Sequence, residues 1–314
     1  MNTISGALRL ADLAGDPVRR RRESRIRWFF LSAAAVSVLV NVAIVLSLLD
    51  GTVDFFRAVA QDSGLGSLWT TGWFPRRGLF DVKTIFVGTV MVALVGMLVA
   101  APLGLGAALY LSEYASRRAR RILKPILELL AGIPSVVMGY FALRWINPEI
   151  VQRLSDSAPG FTIAAAGIGV GILVTPLVAS VAEDALHSVP GSLREASYGL
   201  GAKRRATSVR VVLPAAVSGL VAALILGLSR AIGETLVVAI AAGATGGSLF
   251  STNVLEPGQT MTGAMASLAT GSDQVKGAGA AFPSLFMVGA LLFVLTLGLN
   301  VVSERFVRRV RRRY

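Results

Sequence analysis

Residues 195–214 read EASYGLGAKRRATSVRVVLP and form a polar stretch between two long apolar runs. The residues that define its pattern are Glu195, Ala196, Ser197, Gly201, Val211, Leu213 and Pro214. Gly201 permits a backbone turn that a residue with a Cβ resists, and Pro214 is tolerated where a helix begins. The stretch therefore predicts a turn followed by a helix start. Taken alone, it also fits an ordinary basic loop that ends at a helix.

The composition around this stretch is that of a membrane protein. Of the 314 residues, 54% are hydrophobic and only 16% are charged, which excludes a soluble domain with a polar surface. A helix needs about 20 apolar residues to cross about 30 Å of hydrocarbon. Charge-free runs of that length occupy 28–49, 84–112, 157–182, 211–229 with a continuation past Arg230, and 277–303. A shorter run at 129–141 is extended by apolar neighbours. We predict an all-α polytopic protein with six transmembrane helices.

The basic residues indicate which side of the membrane each loop occupies. The net charge is +13, and 23 of the 31 Lys and Arg fall on one side if both termini lie there. That side holds the segments 113–124 and 188–214. By the positive-inside rule, both termini and the 188–214 loop should be cytoplasmic. A nucleic-acid partner is not expected, because the basic clusters adjoin the spans and do not form one aromatic-studded face.

These runs divide the chain into segments. We predict a cytoplasmic basic segment at 1–27, a first transmembrane helix at 28–49, an external segment at 50–83, a core of five helices at 84–303 and a cytoplasmic basic tail at 304–314. The basic run before the first helix resembles the start of a signal sequence. However, its apolar run is too long and no small-residue cleavage site closes it, so an uncleaved span is expected. The chain contains no cysteine and hence no disulfide.

Two segments between the spans have unusual compositions. The 50–83 segment is rich in aromatics, which favour the membrane interface but also suit an external partner. They are Phe55, Phe56, Trp69, Trp73, Phe74 and Phe80. The 244–283 segment is rich in Gly, Ser and Thr, which predicts an irregular external loop, with a re-entrant course left open.

Arg230 and Glu234 are charges inside the predicted fifth span. Four residues apart, they share one helix face. A charge at that depth costs about 2.5–3.5 kcal/mol on insertion scales, so both should face a bundle interior or a water-filled path. They are therefore the leading candidates for a substrate path. The alternative is a self-neutralising pair that only fixes helix packing.

The spacing of 195–214 resembles the EAA signature of the membrane subunits of ABC importers, with Ser197 in place of the third Ala and Val211 in place of Ile. In that family the loop forms two short cytoplasmic helices that meet at the Gly and fit a cleft on an ATP-hydrolysing partner. Residues 129–140 resemble the Leu-Ala-Gly-Ile-Pro-Ser-Val-Val stretch of bacterial phosphate-importer permeases. Residues 228–235 resemble the Gly-Arg-Ala-Leu-Gly-Glu-Thr stretch of the same family, nearer to its C-type than its A-type member.

The resemblance implies a type I ABC importer permease fold in the bacterial inner membrane, for inorganic phosphate. Its implied partners, besides membrane lipid, are a second phosphate permease, an ATP-binding subunit dimer and an external phosphate-binding protein. No Lys follows a Gly, so a Walker A sequence is absent and the chain should not be an ATPase. It should need no cofactor, since ATP and Mg²⁺ would be bound by the partner. The single histidine, His187, does not predict a metal site but a solvated cluster with Glu183 and Asp184.

The candidate path residues have chemistry that suits an oxyanion. Pro134 removes a backbone donor and, with Gly132, should loosen the third span and free backbone groups to line a cavity. Ser135 and Thr235 would add hydroxyl groups near Arg230, whose forked donors match phosphate. Glu234 would accept a proton or orient Arg230. Ser135 also fits a packing role, since small residues let helices approach.

Two other functions remain open on the sequence. The same type of permease would suit another oxyanion, such as molybdate, tungstate or sulfate. A proton-coupled secondary transporter could use Arg230 and Glu234 as its charged pair, although such a carrier has no need of a docking loop.

Overall fold

The computed structural model describes residues 17–62, 64–243, 246–271 and 279–311. The chain divides into two units, residues 1–50 and 51–314. Helix α1 (Pro17–Asp62) forms the described part of the first unit, contains the predicted span 28–49 and continues into the second unit. Several of the basic residues counted above lie outside the described residues, among them Arg9, Lys276, Arg312 and Arg313.

The first helices of the second unit follow the apolar runs, with two π-helical departures. They are α2 (Val82–Leu109) with a π turn at Tyr110–Tyr114, α3 (Arg117–Ala131), α4 (Ser135–Phe141) with a π segment at Ala142–Val151, α5 (Gln152–Leu154) and α6 (Ile163–His187).

The later helices include two short ones before the fifth apolar run. They are α7 (Gly191–Gly199), α8 (Arg204–Thr207) with a π turn at Ser208–Val212, α9 (Leu213–Ile232), α10 (Leu236–Ala241), α11 (Met261–Ala269) and α12 (Pro283–Arg311).

Within the described residues, five helices are long and apolar enough to span a membrane, and a sixth span is formed if α3 and 135–154 are counted together. These two segments meet at a bend of 89°. The break at 132–134 falls inside the predicted third span, where Gly132 and Pro134 were expected to loosen the helix. Pro134 explains the break: it cannot donate to the preceding turn, and it disfavours helical geometry at Ile133.

Helix α6 lies at the centre of the main core and packs closely along α2. A Cβ at Gly171 would lie 2.6 Å from the Gly96 carbonyl oxygen, so the two backbones approach as only glycine permits. Buried residues from both helices, among them Val92, Val170 and Val174, join residues of α9 and α10 in one core. This packing holds α9 and α10 against a rigid neighbour.

The two ends of this bundle differ. We call the end with α7, α8 and the start of α3 the basic end. The other, the sheet end, carries the antiparallel strands β1 (Gly72–Phe74), β2 (Leu79–Phe80) and β3 (Ser248–Leu249) in the order β2-β1-β3. Helices α2 and α6 run from the sheet end to the basic end, and α9 runs back along α6, with Gly219 beside Ala185 and Gly227 beside Val178.

Half of the aromatics of the 50–83 segment form a core and not a membrane interface. Phe55, Trp73 and Phe80 are fully buried, and their rings make edge-to-face contacts with centroids 5.2 and 6.0 Å apart. Trp73 pairs with Phe80 across β1 and β2, so the sheet fixes their positions. The interfacial prediction is wrong for these three, whereas Trp69 is exposed as it requires.

The 244–283 segment is more ordered than its composition predicts. It contains β3 and the buried helix α11, and the Met261 N–H donates a hydrogen bond of 2.9 Å to the Thr89 hydroxyl on α2. Residues 244–245 and 272–278 of this segment lie outside the described residues.

Candidate functional site

The fifth span is broken at 233–235, between α9 and α10. The break lies within the bundle, because Gly227 contacts Val174 and Val178 midway along α6, and the Ala241 carbonyl accepts a 3.2 Å hydrogen bond from Thr162 at the start of α6. Arg230 is on the last turn of α9, and Glu234 and Thr235 lie in the break itself. The sequence placed this pair inside an unbroken helix, whereas the structure places it where a helix is interrupted.

The Glu234 carboxylate is buried and fully engaged. One oxygen, Oε2, accepts a 2.8 Å hydrogen bond from Nη1 of Arg230. The other, Oε1, accepts from the backbone N–H groups of Thr235 at 3.2 Å and Val237 at 3.5 Å. These N–H groups begin α10 and have no intrahelical acceptor, so Glu234 caps the second half of the broken span.

The Arg230 side chain is 48% exposed, whereas that of Glu234 is 3% exposed. Only Nη1 of Arg230 is bonded within the described residues, so Nε and Nη2 are available to an outside acceptor. A guanidinium held at one nitrogen by a buried carboxylate is fixed in direction without being saturated. The arrangement can present a forked donor to an anion.

Thr235 contributes less than its sequence position suggests. Its hydroxyl donates to the Gly233 carbonyl at 3.3 Å. Thr262 on α11, which the sequence analysis did not identify, donates a 2.7 Å hydrogen bond to the Glu234 carbonyl. A cavity of about 400 Å³ opens here between α11, α12 and the break, lined by Gly233, Thr235, Thr262, Met265, Ala266, Ala269, Leu285 and Leu292. Nothing in the Thr-rich composition of that segment singles out Thr262.

Ser135 begins α4 directly after the other broken helix. It is half-buried, and its hydroxyl has no hydrogen-bond partner within the described residues. Gly139, four residues on, lies against Val237 and Ile240 of α10. The two half-helices α4 and α10 therefore pack against each other. Among the described residues, Ser135 makes no hydrogen bond to Arg230 or Glu234, so the structure does not join it to this pair.

The loop before α9 contains two short helices that meet at a glycine turn. Gly201 has a φ of +81°, and α7 and α8 flank it. The hydroxyl groups of Ser197 and Thr207 are 2.8 Å apart and tie the two helices together. Glu195 and Ala196 are exposed on α7, and Leu200 is 90% exposed at the turn. An apolar residue so exposed is available to a partner surface.

The end of this loop is anchored in the bundle. Val211, Leu213 and Pro214 are half-buried, and Val212 is buried in a core cluster with Ala108, Ala182, Leu186, Val189, Ala216 and Ala223. A basic cavity of about 390 Å³ adjoins α8, lined by Lys203, Arg205, Ala206, Val209 and Arg210. The loop thus combines an exposed helical tip with a fixed base.

The predicted solvated cluster at the end of α6 is wrong for one of its members. Glu183 is buried, and its Oε1 accepts a 2.7 Å hydrogen bond from Arg120 of α3 while its Oε2 lies 3.3 Å from Lys124. Nη2 of Arg120 also lies 3.1 Å from Nδ1 of His187. Asp184 is exposed, as predicted. Within the described residues, no group of three or more His, Cys, Asp or Glu is placed to hold a metal ion.

Comparison with known proteins identifies the family. Residues 100–312 match the model of the binding-protein-dependent transport system inner membrane component. The phosphate transport system permease protein PstC of Xylella fastidiosa is 31% identical, with 94% of each chain covered. The probable ABC transporter permease protein YqgH of Bacillus subtilis is 35% identical over 72% of this chain and 74% of its own.

A solved structure shares the fold. A chain of a bacterial alginate ABC transporter, in complex with an alginate pentasaccharide-bound periplasmic protein, superposes with a TM-score of 0.60 at 16% identity. The superposition covers 92% of this chain and 97% of the alginate transporter chain. The predicted type I ABC importer permease fold is therefore confirmed.

Proposed function

This chain belongs to the family of binding-protein-dependent transport system inner membrane components, and we propose that it is the permease subunit of an ATP-driven importer of inorganic phosphate. The observation that carries the proposal is the half-exposed guanidinium of Arg230, held by a buried carboxylate at a helix break. Relatives named as phosphate permeases support phosphate as the oxyanion.

Arg230 is the proposed anion contact. Its free nitrogens form a planar fork that matches two oxygens of a phosphate, a geometry that an ammonium cannot reproduce. Glu234 is a positioning residue, because both of its oxygens already accept hydrogen bonds from the chain. Ser135 is the proposed second contact, since its hydroxyl is unbonded within the described residues. Thr235 lines the same region, but its hydroxyl already donates a hydrogen bond to a backbone carbonyl.

The segment from Glu195 to Pro214 is the proposed docking loop for a partner ATPase dimer, which would bind ATP and Mg²⁺. The exposed Glu195, Ala196 and Leu200 form its tip, and the turn at Gly201 sets the angle between its helices. A second permease would complete the path, and an external binding protein would deliver the anion. Closure of the ATPases would then move the loop as a rigid body and switch access to the path from one side to the other.

The test is phosphate uptake by the whole importer in vesicles, with molybdate, tungstate and sulfate as competitors. We expect Arg230→Lys and Glu234→Gln each to reduce uptake by at least about tenfold, the equivalent of one charge-assisted hydrogen bond. The assembled complex should survive both changes. Arg153→Lys is the matched control, because Arg153 pairs with Glu149 at the same spacing but is 73% exposed, and it should leave uptake unchanged.

Three results would contradict parts of this proposal. Loss of the assembled complex in both variants would show that Arg230 and Glu234 only pack helices. Uptake inhibited by molybdate, tungstate or sulfate more strongly than by excess phosphate would assign another oxyanion. Uptake that follows a proton gradient and persists without ATP would make the protein a secondary transporter.

A further inference from the structure

Arg194 precedes Glu195 on the docking loop and joins three separate elements. Its Nη2 donates to Glu113 Oε1 at 2.9 Å and to the Leu186 carbonyl at 2.9 Å, and its Nη1 donates to the Val189 carbonyl at 2.7 Å. Glu113 lies in the π turn that continues α2, and Leu186 lies on the last turn of α6. One guanidinium thus links α7 to the basic ends of two transmembrane helices.

The rest of α7 is weakly attached to those helices. None of its residues is buried, and its packing is mainly against α8 and the π turn at 208–212. By contrast, the Arg194 side chain is only 20% exposed and that of Glu113 only 4%. A fork bonded to three acceptors holds its helix in position and direction, whereas apolar contact alone would let the helix slide.

We infer that Arg194 is the positioning residue through which movement of the docking helix reaches the transmembrane helices, with Glu113 as its anchor on α2. This inference rests on the proposed function, since it assumes that a partner ATPase moves α7. When α7 is displaced, the guanidinium carries the ends of α2 and α6 with it. These are the two helices whose glycine-mediated contact forms the centre of the bundle. The pair therefore couples the loop to the close packing of α2 against α6.

The positions of the acceptors give a physical reason for an arginine at position 194. The donors of Arg194 point to a carboxylate on α2 and to two carbonyls at the end of α6, in different directions. Lysine carries its donors on a single nitrogen and cannot span these acceptors. Glu113, for its part, is a charge at the end of an apolar span, and a buried carboxylate requires such a partner.

The experiment compares Arg194→Lys, Glu113→Gln and the double variant in the complete importer, reconstituted in vesicles with its ATPase and binding protein. Phosphate transported per ATP hydrolysed is measured together with the amount of ATPase that co-purifies. We expect each single variant to transport about tenfold less phosphate per ATP, with co-purification unchanged. The double variant should be no worse than either single one, because both remove the same contact. Arg121→Lys on the exposed face of α3 is the matched control and should behave as the unaltered importer.

The possible outcomes are distinct. A normal ratio of transport to hydrolysis in Arg194→Lys would overturn the inference. So would a parallel loss of bound ATPase, since Arg194 would then support docking itself, or additive effects in the double variant. If the unaltered importer shows no ATP-driven phosphate uptake, it is the proposed function that fails, whatever the variants do.

Discussion

Substitution at Gly201 is restricted by the backbone conformation of this residue and not by neighbouring atoms. Its φ is +81°, yet a Cβ added there would have no atom within 4 Å. A side chain would therefore cost about 1–2 kcal/mol of left-handed strain without any clash. We expect Gly201→Ala to alter the turn between α7 and α8 and to lower phosphate transport per ATP hydrolysed. The thermal unfolding of the purified protein should change little, because the turn lies outside the cores.

Two further substitutions distinguish the effect of backbone strain from the effect of merely replacing a glycine. Gly199 lies in α7 with an equally open surround and an ordinary φ, so Gly199→Ala should leave transport unchanged. Gly201→Asn should restore much of what Gly201→Ala loses, because asparagine tolerates the left-handed region better than alanine. Equal transport by Gly201→Ala and the unaltered protein would show that the turn does not set the docking geometry.

Three buried glutamates show what residue-level sequence reasoning can find. Glu234 pairs with an arginine four residues away, and this pair was identified from its helical spacing. Glu183 and Glu113 pair with arginines 63 and 81 residues away, at 2.7 and 2.9 Å. Neither of these pairs was predicted, because a single sequence reveals contacts within an element and not contacts between elements. The only available signal was a carboxylate near the end of an apolar span, where it needs a partner.

At the scale of elements, α3 depends on its ionic contacts. None of its residues is buried, and a bend of 89° separates it from the segment that begins at Ser135. Both oxygens of Glu183 hold it to α6 through Arg120 and Lys124. We expect Glu183→Gln to loosen α3, because removing a buried carboxylate leaves two cations with a weaker partner. Relative to the unaltered protein, hydrogen exchange should then become faster in α3 than in α6.

The adjacent Asp184 supplies the control for this experiment. Its side chain is 73% exposed and lies 4.0 Å from Lys124, so Asp184→Asn removes the same charge from the same helix turn without removing a buried contact. It should leave exchange in α3 unchanged, because exposed ion pairs contribute little. Equal exchange in Glu183→Gln and Asp184→Asn would mean that packing, and not the buried carboxylate, holds α3.

The number of long helices was predicted more successfully than the places where the helices break. Apolar runs gave the long helices because span length is a property of composition. The bend at Gly132 and Pro134 was anticipated from proline chemistry, whereas the break at 233–235 contains no proline and was not. It forms where Glu234 takes over the hydrogen bonds of the next half-helix. The sheet of β1, β2 and β3 also went unpredicted, because strands of two or three residues are too short for a periodic pattern.

At the scale of the whole molecule, the distribution of charge makes a directional prediction. The basic end of the bundle carries α3, α7 and α8 with their arginines, and the sheet end carries the buried aromatics Phe55, Trp73 and Phe80. Lys and Arg are retained on the cytoplasmic side, so the basic end should be cytoplasmic. The proposed docking role requires this orientation, because ATP is available only in the cytoplasm.

The chain has no native cysteine, so single cysteines can report this orientation directly. Leu200 is 90% exposed at the basic end and Leu154 is 83% exposed at the sheet end. We expect a membrane-impermeant maleimide to label Leu154→Cys in right-side-out vesicles and Leu200→Cys only in inside-out vesicles. Both should react after detergent solubilisation, which controls for accessibility. Bound ATPase should protect Leu200→Cys and leave Leu154→Cys reactive, because Leu200 lies at the tip of the docking loop. The opposite labelling pattern would place that loop outside the cell, where no ATPase could move it.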